Sequence, residues 1–419
     1  MRNSKLPAWL AGAVLCIPLL AQGEAAGLSL RAAVEQAWQR SPLARTLDAR
    51  QDEAAAGRAL AQSWLGAAPT LGLAERSGRW TGRREQHETE ISLAAPILLP
   101  GQHSARLQLA ASSADELQAR LRQARLEIAG TVRARLWEAA AARELLAEKE
   151  GHLHHMEDLR SEVKRRVQAG DLARSDGLLA DQEVLAAQGE AATARSRARE
   201  ALNRFKLLTG MPDLPPADPE PLPELLPEPR PHPTSEPTPE PLAEQHFRLG
   251  AARAAEQRAR AAVALASASV QGPPTVSISM RRERDGPFAG PERSVGIAVQ
   301  IPMGGKLRNR PAETRAATEL ATASAELAET QAAIGIEAAQ ARAQLADATE
   351  GLQAALARVA AMREHTALFQ KAFNHGERGL AELLRSRTLS HEAEVGLRQH
   401  QIALGQAHAQ LNQALGILP

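Results

Sequence analysis

Pro69-Thr-Leu-Gly-Leu-Ala-Glu-Arg76 and Pro274-Thr-Val-Ser-Ile-Ser-Met-Arg281 are two versions of one strand. Downstream of each comes a second matched stretch, Ile91-Ser-Leu-Ala-Ala-Pro96 and Ile297-Ala-Val-Gln-Ile-Pro302. Further on, Gly170-Asp171 matches Gly376-Glu377, Asp176 matches Glu382, and Leu202-Asn203-Arg204 matches Leu411-Asn412-Gln413. The offsets are 205, 206, 206, 206 and 209 residues. Landmarks repeating at a nearly constant offset identify a tandem duplication of about 200 residues.

Within each copy the pattern is helix, β-hairpin, long helix, turn, helix. In the first copy it predicts a helix over residues 28–63, broken at Ser41-Pro42. Strands follow over 69–79 and 88–99, then a long helix over 103–168 and a further helix over 171–208. In the second copy it predicts a helix over 242–270, strands over 274–283 and 293–303, and helices over 306–373 and 377–415. Between the copies, residues 212–241 hold 13 of the 26 prolines, interleaved with glutamate. Such a segment cannot be helix or central strand and should run extended as a linker. A partner-binding polyproline segment is the alternative.

Lengths add register to the pattern. Residues 103–168 span roughly 100 Å as a helix. In each copy the two shorter helices together about equal the long one. Each long helix can therefore be flanked by two short ones stacked end to end. The hairpin then lies at one end of a rod and the Gly170 or Gly376 turn at the other, with the linker near the middle.

Composition supports this reading. Of 419 residues only 2% are aromatic, and tyrosine is absent. A large globular enzyme core normally uses many more rings. Fifty Lys and Arg against 49 Asp and Glu leave a net charge of +1, without the basic excess of a nucleic-acid binder. The N-terminus carries Arg2 and Lys5, then an apolar run from Trp9 to Ala21 and small residues. That is the form of a secretory signal peptide over residues 1–25, with cleavage after Gly23 or Ala25. Cys16 is the only cysteine, so the mature chain would have none. Its preceding Leu15 is larger than a lipidation signal prefers.

In the hairpins apolar and small residues alternate. Val276, Ile278 and Met280 interleave with Ser277 and Ser279; Val295, Ile297 and Val299 interleave with Gly296, Ala298 and Gln300. Strands of about ten residues with one apolar face fit a tilted strand crossing a bilayer. Four strands cannot close a barrel alone, and open edges do not occur in lipid. Three chains would supply twelve. The alternative is a small soluble β-cap on a coiled-coil rod.

With its duplicated helix–hairpin–helix unit, the mature chain resembles the TolC-like outer-membrane efflux proteins. The strand ends Ala94-Ala-Pro96 and Gln300-Ile-Pro302 carry the resemblance, each followed by a Gly-containing start to a long helix at Pro100-Gly101 and Gly304-Gly305. So do the turns Gln168-Ala-Gly-Asp171 and Asn374-His-Gly-Glu377, each with an acid six residues past its glycine. The length and Pro-rich middle look most like the branch paired with heavy-metal efflux pumps (CzcC-like). The resemblance implies a mainly α fold in which a homotrimer forms a twelve-stranded outer-membrane barrel, set in outer-membrane lipid, continuing into a periplasmic helical tunnel. It implies an exit duct that works with a periplasmic adaptor protein and an inner-membrane pump, without a cofactor or catalytic residues. In that family the turns close the tunnel and meet the adaptor. Asp176, Arg378 and Glu382 match positions lining the closed entrance, beside Gly170 and Gly376, with Asp171, Arg174 and Glu377 nearby. The alternatives are a type I secretion duct of the same fold and a periplasmic coiled-coil adaptor.

No catalytic motif is present. Gly304-Gly-Lys306 is followed by Leu307 and is no phosphate loop. His152, His155 and Met156 share a helix face and offer donors that suit transition metals. No carboxylate-rich or cysteine site accompanies them, so the expectation is an exposed polar patch, with a metal site as the alternative. The charged residues along the helices read as solvated faces.

Overall fold

A computed structural model describes residues 28–77, 86–223, 245–285, 290–303 and 305–419. The signal-peptide reading at residues 1–25, Cys16, the rings Trp80 and Phe288, Gly304 and most of the linker lie outside them.

The first repeat begins with α1 (Leu30–Arg40) and α2 (Pro42–Ala61). Ser29 caps α1, its hydroxyl accepting from the Ala32 N–H at 3.2 Å. Ser41 ends α1 and caps α2, with Pro42 in the first turn where its missing N–H costs nothing. Strands β1 (Thr70–Ser77) and β2 (Gln86–Pro96) follow, then α3 (Pro100–Ala169) and α4 (Arg174–Thr209). The second repeat has α5 (Phe247–Ala268), β3 (Thr275–Asp285), β4 (Glu292–Gln300), α6 (Lys306–Asn374) and α7 (Leu380–Ala414). The long helix begins three residues before its expected start, because Pro100 is itself a good first-turn residue. No helix among the described residues is long and apolar enough to cross a membrane.

Helices α3 and α6 run the length of a rod about 100 Å long. One half of α3 packs against α2 and α5, the other against α4 and α7. The short helices meet end to end at the middle. There His246, the N-cap of α5, lies beneath Gly416 at the end of α7. Alanines dominate the core, so helix axes approach closely. Clusters occupy the middle (Ala33, Ala37, Val132, Leu136, Phe205) and the turn end (Met156, Leu159, Val163, Val184, Phe373, Leu383).

At the other end the four strands form one antiparallel sheet in the order β1-β2-β3-β4. The two hairpins, 200 residues apart in sequence, join through the β2–β3 ladder, with Leu93 opposite Ile278 and Pro96 opposite Thr275.

Candidate functional site: two ends and a waist

Register puts one kind of residue on each face of the sheet. Leu71 pairs with Leu93, Leu73 with Ile91, Met280 with Val295, Ile278 with Ile297, and Val276 with Val299. Cross-strand partners share a face, so these apolar side chains form one continuous band. It is bare: Leu71 and Leu73 are both 76% exposed and Ile297 is 74%. The opposite face carries Gly72, Ala74, Ser92, Ser277, Ser279, Gly296 and Ala298. Towards the hairpin turns this second face becomes charged and paired. Arg76 meets Glu88 at 2.9 Å, and Arg281 reaches Glu88 at 3.0 Å and Glu90 at 3.4 Å. The outer edges of β1 and β4 have no ladder partner among the described residues. A four-stranded sheet with a bare apolar face and two open edges is an unfinished object in water.

At the far end of the rod, Gly170 (φ 86°) stops α3 and Gly376 (φ 77°) lies just past α6, both left-handed. The Asp171 N–H reaches the Arg166 carbonyl at 2.9 Å, and the Glu377 N–H reaches the Ala372 carbonyl at 2.9 Å, the same terminating bond in each repeat. Asp176 caps α4, its carboxylate accepting from the Ala173 N–H at 3.1 Å. Its counterpart Glu382 instead pairs with Arg378 at 2.9 Å, one helical turn away. The Arg378 guanidinium also lies 5.5 Å from the Phe369 ring centroid. Within one chain, then, Arg378 is joined to Glu382 and not to Asp176. Both tips are held by ordinary helix-terminal bonds.

The waist holds what sequence reading missed. Residues 212–223 run without helix or strand, as proline requires, yet dock against the helices. Leu214 packs on the Val132–Phe205 cluster and Leu222 on the Ala338–Leu411 cluster. Glu220 receives a two-pronged bond from Arg133, with Nε at 2.8 Å and Nη2 at 2.7 Å. The Arg133 side chain is 3% exposed and that of Glu220 11%. Gln413 accepts from Arg133 Nη1 at 2.8 Å and donates to the Leu126 carbonyl at 2.9 Å. Asn412 donates to the Pro221 carbonyl at 3.1 Å. A buried, satisfied arginine thus ties the linker to both repeats. Arg133 is no solvated-face charge, and the signal for it was faint: a lone Arg at a position where α3 is otherwise apolar.

The His152 group also differs from expectation. Met156 is core at the turn end, packed with Leu159 and Val163. His152 is half-buried and stacks on His391 of α7 at 4.2 Å. His154 and His155 are exposed. The exposed patch is therefore only part of the cluster, because α7 covers the His152 side of α3. No group of three or more His, Cys, Asp or Glu among the described residues is arranged to hold a metal. What forms is a buried polar contact. His391 Nε2 lies 2.6 Å from Glu148 Oε1, but off the line of a hydrogen bond, so the Glu148 oxygens and that nitrogen stay unsatisfied. Burial pushes the Glu148 carboxyl above the usual carboxylate range. Burial, with the charge of Lys149, holds the His391 imidazole below its ordinary value, and burial beside His391 does the same to His152.

Known proteins share this geometry. Residues 33–211 match the family model for Outer membrane efflux protein. No curated protein sequence matches the chain. Among solved structures, the chain is similar to a membrane protein from Pseudomonas aeruginosa, with 20% identity and a TM-score of 0.73 over 93% of this chain and 90% of that one. It is similar to the Campylobacter jejuni CmeC outer membrane channel, with 13% identity and a TM-score of 0.71 over 92% and 85%. The open-state Neisseria gonorrhoeae MtrE outer membrane channel gives 18% identity and a TM-score of 0.70 over 93% and 89%. Over its first repeat the chain thus matches the outer membrane efflux protein family, and over both repeats it has the fold of solved outer-membrane channels.

Proposed function

We propose that this chain is an outer-membrane efflux duct. Three copies close a twelve-stranded barrel in the membrane and continue it as a helical tunnel through the periplasm. One observation carries the reading: the continuous bare apolar band on a sheet with two open edges. In lipid every backbone polar group needs a partner, and edge-to-edge closure of three sheets supplies them all. The family match over residues 33–211 supports an efflux role. On this reading residues 1–25 direct export, and the duct conducts passively what a periplasmic adaptor and an inner-membrane pump deliver. Metal ions or drugs are the substrates, and the length and Pro-rich middle favour the heavy-metal branch. The tips carrying Gly170, Asp176, Gly376, Arg378 and Glu382 form the resting gate and the adaptor contact.

The test is a pair of neighbouring substitutions on β4. Val299 lies in the bare band and Gln300 on the opposite face. An arginine at a lipid-facing mid-membrane position costs about 2–4 kcal/mol. Val299→Arg should sharply reduce the outer-membrane trimer, measured by cross-linking and fractionation, while Gln300→Arg should leave it assembled. Equal effects, or a wild-type chain that stays monomeric and soluble in the periplasm, would remove the barrel from consideration.

A further inference from the structure

The apolar band ends abruptly towards the hairpin turns. On β3 the outward positions run Val276, Ile278, Met280, then Arg282; on β4 they run Val299, Ile297, Val295, then Arg293. Register sets Arg282 directly opposite Arg293. Directly opposed residues hold their Cβ atoms about 5 Å apart, and like charges there destabilise a sheet. Both side chains are exposed, and neither has an ion pair or hydrogen bond to a described residue. The arginines of the other face behave differently, since Arg76 and Arg281 are each paired with glutamate. At the same level on the outward face, β2 offers Thr89 and β1 offers Glu75, whose nearest partner is His87 at 3.5 Å. The sheet therefore places two unneutralised guanidinium groups side by side, on the lipid-facing side of the proposed barrel, one step beyond its apolar band.

We propose that Arg282 and Arg293 together bind a phosphate monoester of an anionic lipid headgroup in the outer leaflet, a group that zwitterionic phosphatidylcholine lacks. Charge complementarity argues for this occupant. Guanidinium forks match phosphate oxygens, and two of them at cross-strand spacing can share one phosphate. Depth argues for it too, because headgroups begin where the apolar band stops. Barrels usually mark that boundary with aromatic girdles, and the described strands contain no Phe, Trp or Tyr. Here the anchor is a salt link to the lipid. The inference rests on the proposed barrel and adds to it a binding site.

The experiment uses the full-length trimer in nanodiscs. One set contains lipid A, a second lipid A stripped of its phosphates, and a third phosphatidylcholine alone. Native mass spectrometry reads retained lipid, and thermal unfolding reads its effect. Wild type should retain and be stabilised by phosphorylated lipid A only. The Arg282→Gln/Arg293→Gln variant should bind it about tenfold more weakly or worse. In detergent without lipid A that variant should be at least as stable as wild type, since the like-charge repulsion is gone. The Arg308→Gln/Arg310→Gln variant, with equal charge loss at the periplasmic end, should bind as wild type does. Equal lipid A binding by wild type and the Arg282/Arg293 variant overturns the site while leaving the barrel standing. Displacement of lipid A by millimolar inorganic phosphate would also overturn it, by reducing the site to a free-phosphate site. A wild-type trimer that never enters nanodiscs overturns the barrel and the site together.

Discussion

Helices α3 and α6 hold equivalent places in the two repeats, with α3 residue n matching α6 residue n + 206. They have 70 and 69 residues, yet α3 buries nineteen and α6 only eight. The contrast is sharpest at the waist. Arg133 and Trp137 of α3 are 3% and 4% exposed, under the linker and α7; their counterparts Ala339 and Ala343 are bare. Ala328, Ala332, Ile336, Ala339, Ala343 and Ala346 recur three or four apart and so share one exposed face of α6. The duplication thus gave two similar helices different neighbours. One is covered within the chain; the other, in the proposed trimer, is covered by the next copy. Small side chains suit that role, since they let a second helix approach closely without a large exposed patch on the monomer.

The largest expected effect breaks the covered side. Trp137 rests against Gly405 of α7 so closely that any side chain there would overlap the ring. Trp137→Ala should cost about 3–5 kcal/mol in denaturant unfolding. Its counterpart Ala343→Ser should change chain stability by less than about 0.5 kcal/mol. Should the two cost the same, α3 and α6 are not in different environments and the contrast is lost.

Next comes the clasp. Removing one member of a buried pair leaves an uncompensated charge, so Arg133→Met alone or Glu220→Met alone should destabilise by about 3–5 kcal/mol. The double variant should recover most of that loss, because two apolar groups replace a pair whose desolvation nearly cancels its attraction. A double variant as unstable as the sum of the singles would mean that the linker docks through Leu214 and Leu222 instead.

These two sites mark what the sequence could and could not reveal. Duplication, helix types, glycine stops and strand alternation are local or periodic signals, and residues 69–76 and 274–281 declare them openly. The Arg133–Glu220 and His152–His391 contacts join residues 87 and 239 apart. They depend on which faces of nearly uniform Ala-rich helices meet, and no amphipathic stripe states that. The Pro-rich segment reads as extended whether free or docked, so its grip on the waist left no trace in composition. At the tips the glycines were legible by residue type, but the Arg378–Glu382 pairing was not separable from a pairing between subunits.

A smaller effect is the pH response of the buried histidines. Well above pH 6.5, the ordinary imidazole value, both imidazoles are neutral, folded or unfolded. As pH falls below 6.5 the unfolded chain takes up protons that burial denies the folded one, so stability should fall. Glu148 acts oppositely, since its raised folded value lets the native state accept a proton before the unfolded chain does. Lys149 and His155 of α3, Glu190 of α4, and Glu394 and Arg398 of α7 face the group. The melting temperature should drop from pH 7 to about 5.5, and His391→Gln should flatten that slope. An unchanged slope would place the titration elsewhere.

The smallest energies sit at the tips, which form the gate in the proposed duct. Asp176 and Glu382 are counterparts, but one caps its helix and the other holds Arg378. An exposed pair such as Arg378–Glu382 contributes about 0–1 kcal/mol, and losing the Asp176 hydrogen bond to the Ala173 N–H costs about 1 kcal/mol. Neither should unfold the rod. In a trimer, however, tips of the two repeats must alternate around the ring, so each perturbation occurs three times at one constriction. Arg378→Ser removes the cation that holds Glu382 and leaves Asp176 and Glu382 as a ring of like charge, whose repulsion favours opening. Asp176→Ala loosens the start of α4 on the other tip. Both variants should raise single-channel conductance or open probability in planar bilayers, with Arg378→Ser the stronger, while melting temperatures shift by only a few degrees. The two repeats would then contribute to the gate by different means, a charge pair in one and a helix cap in the other. If both variants conduct as wild type does, the tips are plain helix ends and closure resides in the packed sides of α3 and α7 above them.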